Sequence, residues 1–325
     1  MIVASAAPSG AVLLRGIGFA LAAYASFSTA DAIVKLTSGR FSTFQIGLML
    51  SLFALLPVLA LTRGQGGLRA LMPQQPRLIA ARAVLTTICS FLVWNAFSML
   101  PLAEAYAILF ASPMIVTALS ALVLKESVGW RRWSATIVGF AGVMVMLDPR
   151  FENLGAGHLY AAGATVCGSL SFLLLRKMGP GERSAAIVGG LFLAIILASA
   201  PLAVAHWVAP TWHEVSLLAL AGLLAGSGQA GLVFATRETP AALVAPFQYT
   251  QMIWAVIFGI ALFGDLPTVH LFLGLAVVIA SGLFIVWRET VRAAPVTLAA
   301  GRGEVVARAA RRARRPASGA RPIEP

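Results

Sequence analysis

Charged side chains are scarce in this sequence of 325 residues: Asp, Glu, Lys and Arg make up 11% of it, whereas 59% is apolar. So little charge and so much apolar surface exclude an ordinary soluble globular fold. Lipid offers the backbone no hydrogen-bond partners, and a helix of about 20 apolar residues crosses the roughly 30 Å hydrocarbon layer. Stretches of this kind recur along the chain, and they predict an all-α integral membrane protein.

Residues that commonly carry chemistry are also few. The two cysteines, Cys89 and Cys167, lie outside any CxxC or Cys/His spacing, so we expect neither a disulfide nor a metal site. The four histidines fall at the ends of apolar stretches without an HExxH motif. The letters GxGxxG at 226–231 lie inside an apolar stretch and lack the strand that a dinucleotide site needs. We therefore expect no cofactor and no enzymatic activity, while an integral membrane enzyme or a structural membrane protein stays as the alternative.

Charges, prolines and glycine clusters divide the chain into ten apolar stretches, which we number spans 1 to 10. Their predicted limits are about 13–36, 42–62, 78–98, 102–124, 132–147, 157–175, 184–205, 215–235, 241–263 and 268–287. The remaining segment, 289–325, is rich in Arg, Ala, Gly and Pro, and we expect a disordered basic tail.

The basic residues fall almost entirely on one side of this arrangement. With ten spans, 21 of the 24 Lys and Arg residues share a side, and Lys35, Arg40 and Arg150 lie on the other. Because cytoplasmic flanks are enriched in Lys and Arg, both termini are predicted to be cytoplasmic. The tail then lies against anionic lipid headgroups, which makes nucleic-acid binding unnecessary to explain its charge.

The chain repeats itself at a period of about 140 residues. An offset of 139 superposes Glu126, after span 4, on Asp265, after span 9. An offset of 141 superposes Lys35 of span 1 on Arg176 of span 6. A repeat of five spans reverses the orientation of the second half, so the sequence predicts two inverted repeats related by an axis in the membrane plane.

The segment 99–147 resembles the hallmark region of the drug/metabolite transporter superfamily, in its EamA-type branch. The likeness rests on Pro101 before a helix of small residues, the Ser112-Pro113 pair, and the acid Glu126. It implies two five-helix repeats, 12–147 and 157–288, around a central cavity lined mainly by spans 1, 3, 4, 6, 8 and 9.

The same resemblance implies a secondary transporter that moves a small organic metabolite across a bacterial-type inner membrane by alternating access. Riboflavin, S-adenosylmethionine and amino-acid-like solutes are the expected substrates. The sequence leaves open the direction of transport, the coupling ion and whether the protein forms a homodimer.

Two acids lie within the predicted spans, where ionisable groups are costly and are functional candidates. Asp31 falls in span 1 and Glu104 near the start of span 4. We hypothesise that one of them binds a proton or the substrate. A structural alternative exists for Asp31, because Lys35 lies one helical turn further on and could pair with it. Glu104 has no basic neighbour in sequence.

Further candidates are amides, a hydroxyl and aromatic side chains inside the spans. Gln248 and Gln251 lie on one face of span 9 with Ala255 and Gly259, and the 139-residue offset superposes Gln251 on Ser112. Such groups face either a cavity or a neighbouring helix, and both readings stay open. The remaining candidates for substrate binding are Trp94, Asn95, Tyr106, Gln229, Tyr249 and Trp254.

Overall fold

The computed structural model describes residues 10–123, 130–146, 154–178, 181–238, 244–281 and 283–284. Their regular structure is helical throughout. Seven helices in this part of the chain are long and apolar enough to cross a membrane, and three shorter apolar helices supply the other spans. The predicted fold class, ten membrane helices, is therefore confirmed. The tail 289–325 and the acid Glu126 lie outside the described residues.

The helices follow the predicted spans closely. In chain order they are Gly10–Thr37, Thr43–Arg63, Pro76–Met99, Leu102–Leu109 with Ser112–Val123, Trp130–Met146, Ala156–Met178, Ser184–Ala205, Trp212–Glu238, Thr250–Phe258 and Val269–Ser281. Local signals set several of these limits. Ser42 accepts a hydrogen bond from Gln45 N at 3.2 Å and caps span 2, and Pro76 occupies the first turn of span 3, where its missing N–H costs nothing.

Spans 4 and 9 are irregular, and in both cases a proline or glycine explains the irregularity. Span 4 consists of two helices that meet at Phe110, because Pro113 has no N–H to donate to the carbonyl four residues earlier. Span 9 begins with a 3-10 turn, Ala245–Tyr249, and ends with a π turn, Gly259–Phe263. Gly264 follows with φ +69°, a left-handed conformation that reverses the chain and brings Asp265 N within 3.0 Å of the Gly259 carbonyl.

Eight of the spans form two lobes. Lobe A contains spans 1, 2, 8 and 9, in which span 8 packs along spans 1 and 2. Lobe B contains spans 3, 4, 6 and 7, in which span 3 packs along spans 6 and 7. Spans 1, 2 and 8 correspond to spans 6, 7 and 3 in the other repeat. Each of these contacts in lobe A therefore has a counterpart in lobe B. The lobes meet where span 2 packs on span 7, span 4 on span 9, and span 1 on span 3.

Contacts between the loops show the same inverted symmetry. We call the membrane face at the end of span 1 the Thr37 side and the opposite face the Arg63 side. On the Thr37 side, Arg40 donates to the Ala209 carbonyl at 3.2 Å. On the Arg63 side, Arg183 donates to the Arg69 carbonyl at 2.7 Å. Arg183 follows Arg40 by 143 residues, and Ala209 follows Arg69 by 140 residues, which is about one repeat in each case. The two-repeat arrangement therefore extends to individual hydrogen bonds.

Glu182 connects two loops on the Arg63 side, the loop between spans 2 and 3 and the loop between spans 6 and 7. The residue is 5% exposed, and its carboxylate accepts hydrogen bonds from the backbone N–H groups of Gln74 and Gln75, at 2.8 to 3.1 Å, and from that of Arg183. Burial raises the pKa of Glu182, but these donors and the Arg183 charge outweigh burial and hold the pKa below its ordinary value.

Glycines allow the closest helix contacts. A Cβ atom on Gly222 would lie 2.3 Å from the Leu50 carbonyl oxygen, and one on Gly226 would lie 2.4 Å from that of Ala54. Of the GxGxxG glycines of span 8, Gly226 therefore packs against span 2, whereas Gly228 faces span 1, where a Cβ would lie 2.7 Å from the Phe27 ring. Gly142 serves the same purpose between spans 5 and 10, where a Cβ would lie 3.0 Å from the Gly274 carbonyl oxygen.

Candidate functional site

Three polar side chains from both lobes meet at the lobe interface. The Tyr106 hydroxyl, on span 4 of lobe B, donates to Asp31 Oδ2 on span 1 at 2.5 Å. The same hydroxyl accepts from Gln251 Nε2 on span 9 at 3.3 Å. Asp31 and Gln251 both belong to lobe A, so a single tyrosine hydroxyl connects two elements of one lobe to the other lobe. These three residues are candidates from the sequence, and the fold brings them together.

Ser28 adds a polar group to this cluster that the sequence analysis missed. It lies one turn before Asp31 on the same face of span 1 and is 1% exposed. Its hydroxyl faces that of Tyr106 but forms no hydrogen bond of ordinary geometry within the described structure. A buried hydroxyl without a partner is costly and leaves one donor and one acceptor available beside the carboxylate.

Aromatic rings hold Tyr106 in place. The Phe97 ring lies 5.5 Å and the Phe110 ring 5.8 Å from the Tyr106 ring, centroid to centroid. Phe110 in turn meets Tyr249 of span 9 edge-on at 5.2 Å. Such pairs stabilise by about 1 kcal/mol beyond the area that they bury. The break in span 4 after Leu109 places Phe110 at this junction, so the irregular helix and the aromatic contact between lobes occur together.

Lys35 does not pair with Asp31, and the structural alternative considered for that acid is wrong. Lys35 Nζ lies 3.0 Å from Asp265 Oδ2, after span 9, and donates to the Leu100 carbonyl at 2.9 Å. The ammonium group also lies 4.6 Å from the centre of the Phe263 ring. Among the described residues Asp31 therefore has no basic partner, and the Tyr106 hydroxyl is its hydrogen-bond donor.

Glu104 does have a basic neighbour, although none is visible in the sequence. His158 Nε2, at the start of span 6, lies 2.8 Å from Glu104 Oε1. The backbone N–H of Gly155 donates to His158 Nδ1 at 3.1 Å, which leaves Nε2 to donate to the carboxylate. Both residues belong to lobe B. Glu104 is thus paired within its own lobe, and Asp31 is the stronger candidate for a functional acid.

The other candidates are dispersed. Ser112 lies 3.1 Å from Ser169 of span 6, oxygen to oxygen, and Asn95 donates to the Phe91 carbonyl at 2.7 Å. Trp94 packs edge-on against Phe91 at 5.7 Å. The remaining three are half-buried on lobe A: Gln229 on span 8, Gln248 beside Tyr249, and Trp254, which stacks on Phe258. Direct roles in substrate binding stay predictions for all of them.

The contact between Lys35 and Asp265 was also missed by the sequence analysis, although a signal for it exists. Lys35 matches Arg176 at one offset of the repeat, and Asp265 matches Glu126 at the other. A basic residue and an acid that recur together in inverted repeats are candidates for a pair. The 230 residues that separate Lys35 from Asp265 hide this pair from any local pattern.

The groups that meet at this junction are donors and acceptors of hydrogen bonds and one acid. No group of three His, Cys, Asp or Glu residues that could hold a metal ion occurs in the described part of the chain. What the cluster offers is one partly buried carboxylate, two hydroxyls, an amide and aromatic rings at the junction of two lobes. A buried carboxylate needs a proton, a cation or several hydrogen bonds to offset the loss of water.

Comparison with known proteins agrees with this architecture. The sequence pattern of the EamA-like transporter family matches residues 14–148 and 155–287. A crystal structure superposes with a TM-score of 0.58 over 84% of this chain and 95% of its own, at 18% identity, a likeness that concerns the fold alone.

Three curated relatives are transporters. A riboflavin transporter of Vibrio cholerae is 28% identical, over 85% of this chain and 94% of its own length. An S-adenosylmethionine uptake transporter of Rickettsia prowazekii is 25% identical over the same shares. A riboflavin transporter of Rhizobium johnstonii is 31% identical over 69% of this chain and 74% of its own.

Proposed function

Because the chain belongs to the EamA-like transporter family and is a transporter, we propose that it moves a small organic metabolite between lobes A and B by alternating access. The observation that carries this proposal is the set of hydrogen bonds that Tyr106 forms to Asp31 and Gln251. Polar groups inside a membrane protein mark substrate and ion pathways, and these lie where the lobes must part. Such a carrier needs no cofactor, and we assign it no enzymatic activity.

The substrate is a metabolite of the kind that its relatives carry, with riboflavin and S-adenosylmethionine as the first candidates and amino-acid-like solutes next. The aromatic rings beside the cluster, those of Phe110 and Tyr249, suit a flat ring system by stacking. Asp31 suits a positively charged group, since no basic side chain among the described residues neutralises it. A solute that combines a ring with a positive charge uses both features.

Asp31 also provides a means of coupling. A carboxylate in this environment binds a proton when the site is empty, or a cationic group when substrate is present. Glu104 is the weaker candidate for this role, because His158 already pairs with it.

We assign the Arg63 side to the cytoplasm of a bacterial-type inner membrane, since 21 of the 24 basic residues then lie inside. Both termini are then cytoplasmic, and the tail 289–325 contacts anionic lipid headgroups. The repeats comprise residues 12–147 and 157–288. The contacts described here lie within one chain, and a homodimer is compatible with them.

The first experiment is a solute screen on the purified protein. Riboflavin, S-adenosylmethionine, amino acids and nucleosides are compared for their effect on its thermal unfolding, and each hit is then tested for entry into proteoliposomes. We expect a hit whose transport falls in the Gln251→Ala variant. Glu104→Gln is the matched variant outside the cluster, and it retains transport if the cluster is the site. If no solute binds or crosses under any imposed gradient, the proposed substrate class is wrong.

A further inference from the structure

Lys35 holds the lobes together on the Thr37 side. It belongs to span 1 of lobe A, and its Nζ donates to the carbonyl of Leu100, in the loop between spans 3 and 4 of lobe B. Asp265 and the Phe263 ring position the ammonium group for this contact. The Lys35 side chain is 14% exposed, so solvent screens these interactions only weakly.

We infer that Lys35 changes partner during transport. It bonds to Leu100 and Asp265 while the Thr37 side is closed, and it pairs with Asp31 when that side opens. The inference rests on the proposed alternating movement of the lobes and adds to it a residue that controls when Asp31 is available to a ligand.

Opening on the Thr37 side must break the hydrogen bonds between span 1 and lobe B. Span 1 forms two described hydrogen bonds to lobe B: Lys35 donates to the Leu100 carbonyl, and Asp31 accepts from the Tyr106 hydroxyl. Parting of the lobes on the Thr37 side separates both pairs. The same movement therefore deprives the ammonium group of an acceptor and the carboxylate of its donor.

An ion pair within span 1 can replace these bonds. Asp31 and Lys35 are four residues apart on one helix, with the acid nearer the N-terminus, which is the favourable order for an ion pair on a helix face. A carboxylate left without a donor in a weakly polar site is costly. Lys35 keeps Asp265 of its own lobe as a partner, but the Asp265 side chain is 30% exposed, and water can take the place of the ammonium group there. Rotation of the Lys35 side chain from Asp265 toward Asp31 therefore satisfies Asp31 without further movement of the backbone.

The consequence concerns the ligand of Asp31. With the Thr37 side closed, Lys35 is engaged elsewhere, and Asp31 can hold a proton or a cationic group. With that side open, Lys35 competes for the same carboxylate and displaces the ligand. The chain thus carries its own competing cation, which favours release of the ligand on the Thr37 side.

The first test measures opening without any substrate. The reporter is Ala103→Cys, in a chain that also carries Cys89→Ala and Cys167→Ala. Ala103 is buried and lies one turn before Tyr106 on the same face of span 4. Labelling of this cysteine by a membrane-impermeant maleimide from the Thr37 side reports the open state. We expect Lys35→Gln to accelerate labelling about tenfold, as the loss of one charge-assisted hydrogen bond between lobes predicts.

Arg40→Gln is the matched control. Arg40 forms an ion pair with Glu214 at 2.7 Å on the same side, but both residues belong to lobe A. Labelling in Arg40→Gln should stay within about twofold of the parent. An unchanged rate in Lys35→Gln, or equal acceleration in both variants, overturns the role of Lys35 between the lobes. Lys35→Met, which keeps the length of the side chain and removes the ammonium group, carries the test if Lys35→Gln does not fold.

The second test examines the change of partner. Asp265→Asn leaves Lys35 free to pair with Asp31 in the open state, whereas Lys35→Gln removes that pair. We therefore expect faster labelling in Asp265→Asn than in Lys35→Gln, and the excess should vanish when Asp31→Asn is added. Equal rates in the two single variants, or an excess that survives Asp31→Asn, refute the exchange. Because labelling needs no solute, failure here is distinguishable from failure of the proposed substrate class.

Discussion

Replacing Tyr106 with phenylalanine removes one oxygen atom and keeps the ring that packs against Phe97 and Phe110. The lobe interface then loses the hydrogen bond to Asp31 at 2.5 Å and the one from Gln251 at 3.3 Å. Each of these hydrogen bonds contributes about 1–2 kcal/mol, the higher figure applying to an ionised Asp31, so the closed interface loses roughly 2–3 kcal/mol. This changes the balance between the closed and open conformations by about 100-fold.

A carrier that is biased so strongly toward one conformation completes its cycle slowly. We therefore expect the initial rate of solute entry into proteoliposomes to fall by one to two powers of ten in Tyr106→Phe, on the order of the population shift. Tyr24→Phe is the matched control: it removes the same atom from another buried tyrosine, which packs on Phe27 within lobe A. Its transport should equal that of the parent.

The reasoning is refuted if Tyr106→Phe transports within about twofold of the parent while it unfolds at the same temperature. The hydrogen bonds between Tyr106, Asp31 and Gln251 would then contribute nothing to the conformational cycle. Equal losses in Tyr106→Phe and Tyr24→Phe would also contradict it, since the effect would then come from general loosening of the helices.

The remaining predictions concern stability, measured as thermal unfolding in detergent. Gly226→Ala should lower the free energy of unfolding by about 1–3 kcal/mol, because its Cβ would lie 2.4 Å from the Ala54 carbonyl oxygen. Gly18→Ala, where a Cβ meets open space, should be neutral or slightly stabilising. Equal effects of the two substitutions would contradict the role of close packing. The low pKa of Glu182 in the folded state means that its carboxylate stabilises the fold above the unfolded value of about 4.3, and that this stability is lost as the pH falls through the folded value. Glu182→Gln should therefore unfold at a lower temperature than the parent at pH 7, with the difference closing in strong acid; a constant difference would show that ionisation plays no part. Ser42→Ala should cost about 1 kcal/mol by removing the cap of span 2, and an unchanged unfolding temperature would contradict it.

The candidate site was only partly predictable from the sequence. Asp31, Tyr106 and Gln251 could be selected one by one, because polar groups inside apolar spans are conspicuous. Their meeting could not be predicted, since helix phase across three spans depends on the break in span 4 and the 3-10 turn in span 9. For the same reason Gln248, grouped with Gln251 by helical spacing, lies in the 3-10 turn instead.

The partners of the acids show the same limit. Sequence spacing suggests Lys35, one helical turn away, as the basic partner of Asp31, and it suggests no basic partner for Glu104. The fold instead turns the chain at Gly264 so that Asp265 meets Lys35, and it brings His158 to Glu104. An ion pair forms with whichever carboxylate lies closest in space, and local spacing supplies only one of the competitors.

The sequence by itself determined the number of spans, their alternating direction and the inverted repeat. These follow from apolar length, from the position of positive charge and from self-similarity, each of which is a property of the chain in linear order. Only the tertiary structure decided how the spans divide into two lobes and which side chains connect the lobes. It also decided that Asp31 accepts its hydrogen bond from Tyr106 and does not pair with Lys35. Those outcomes depend on close contacts between helices far apart in sequence, where glycines let the backbones approach more closely than a Cβ atom would allow.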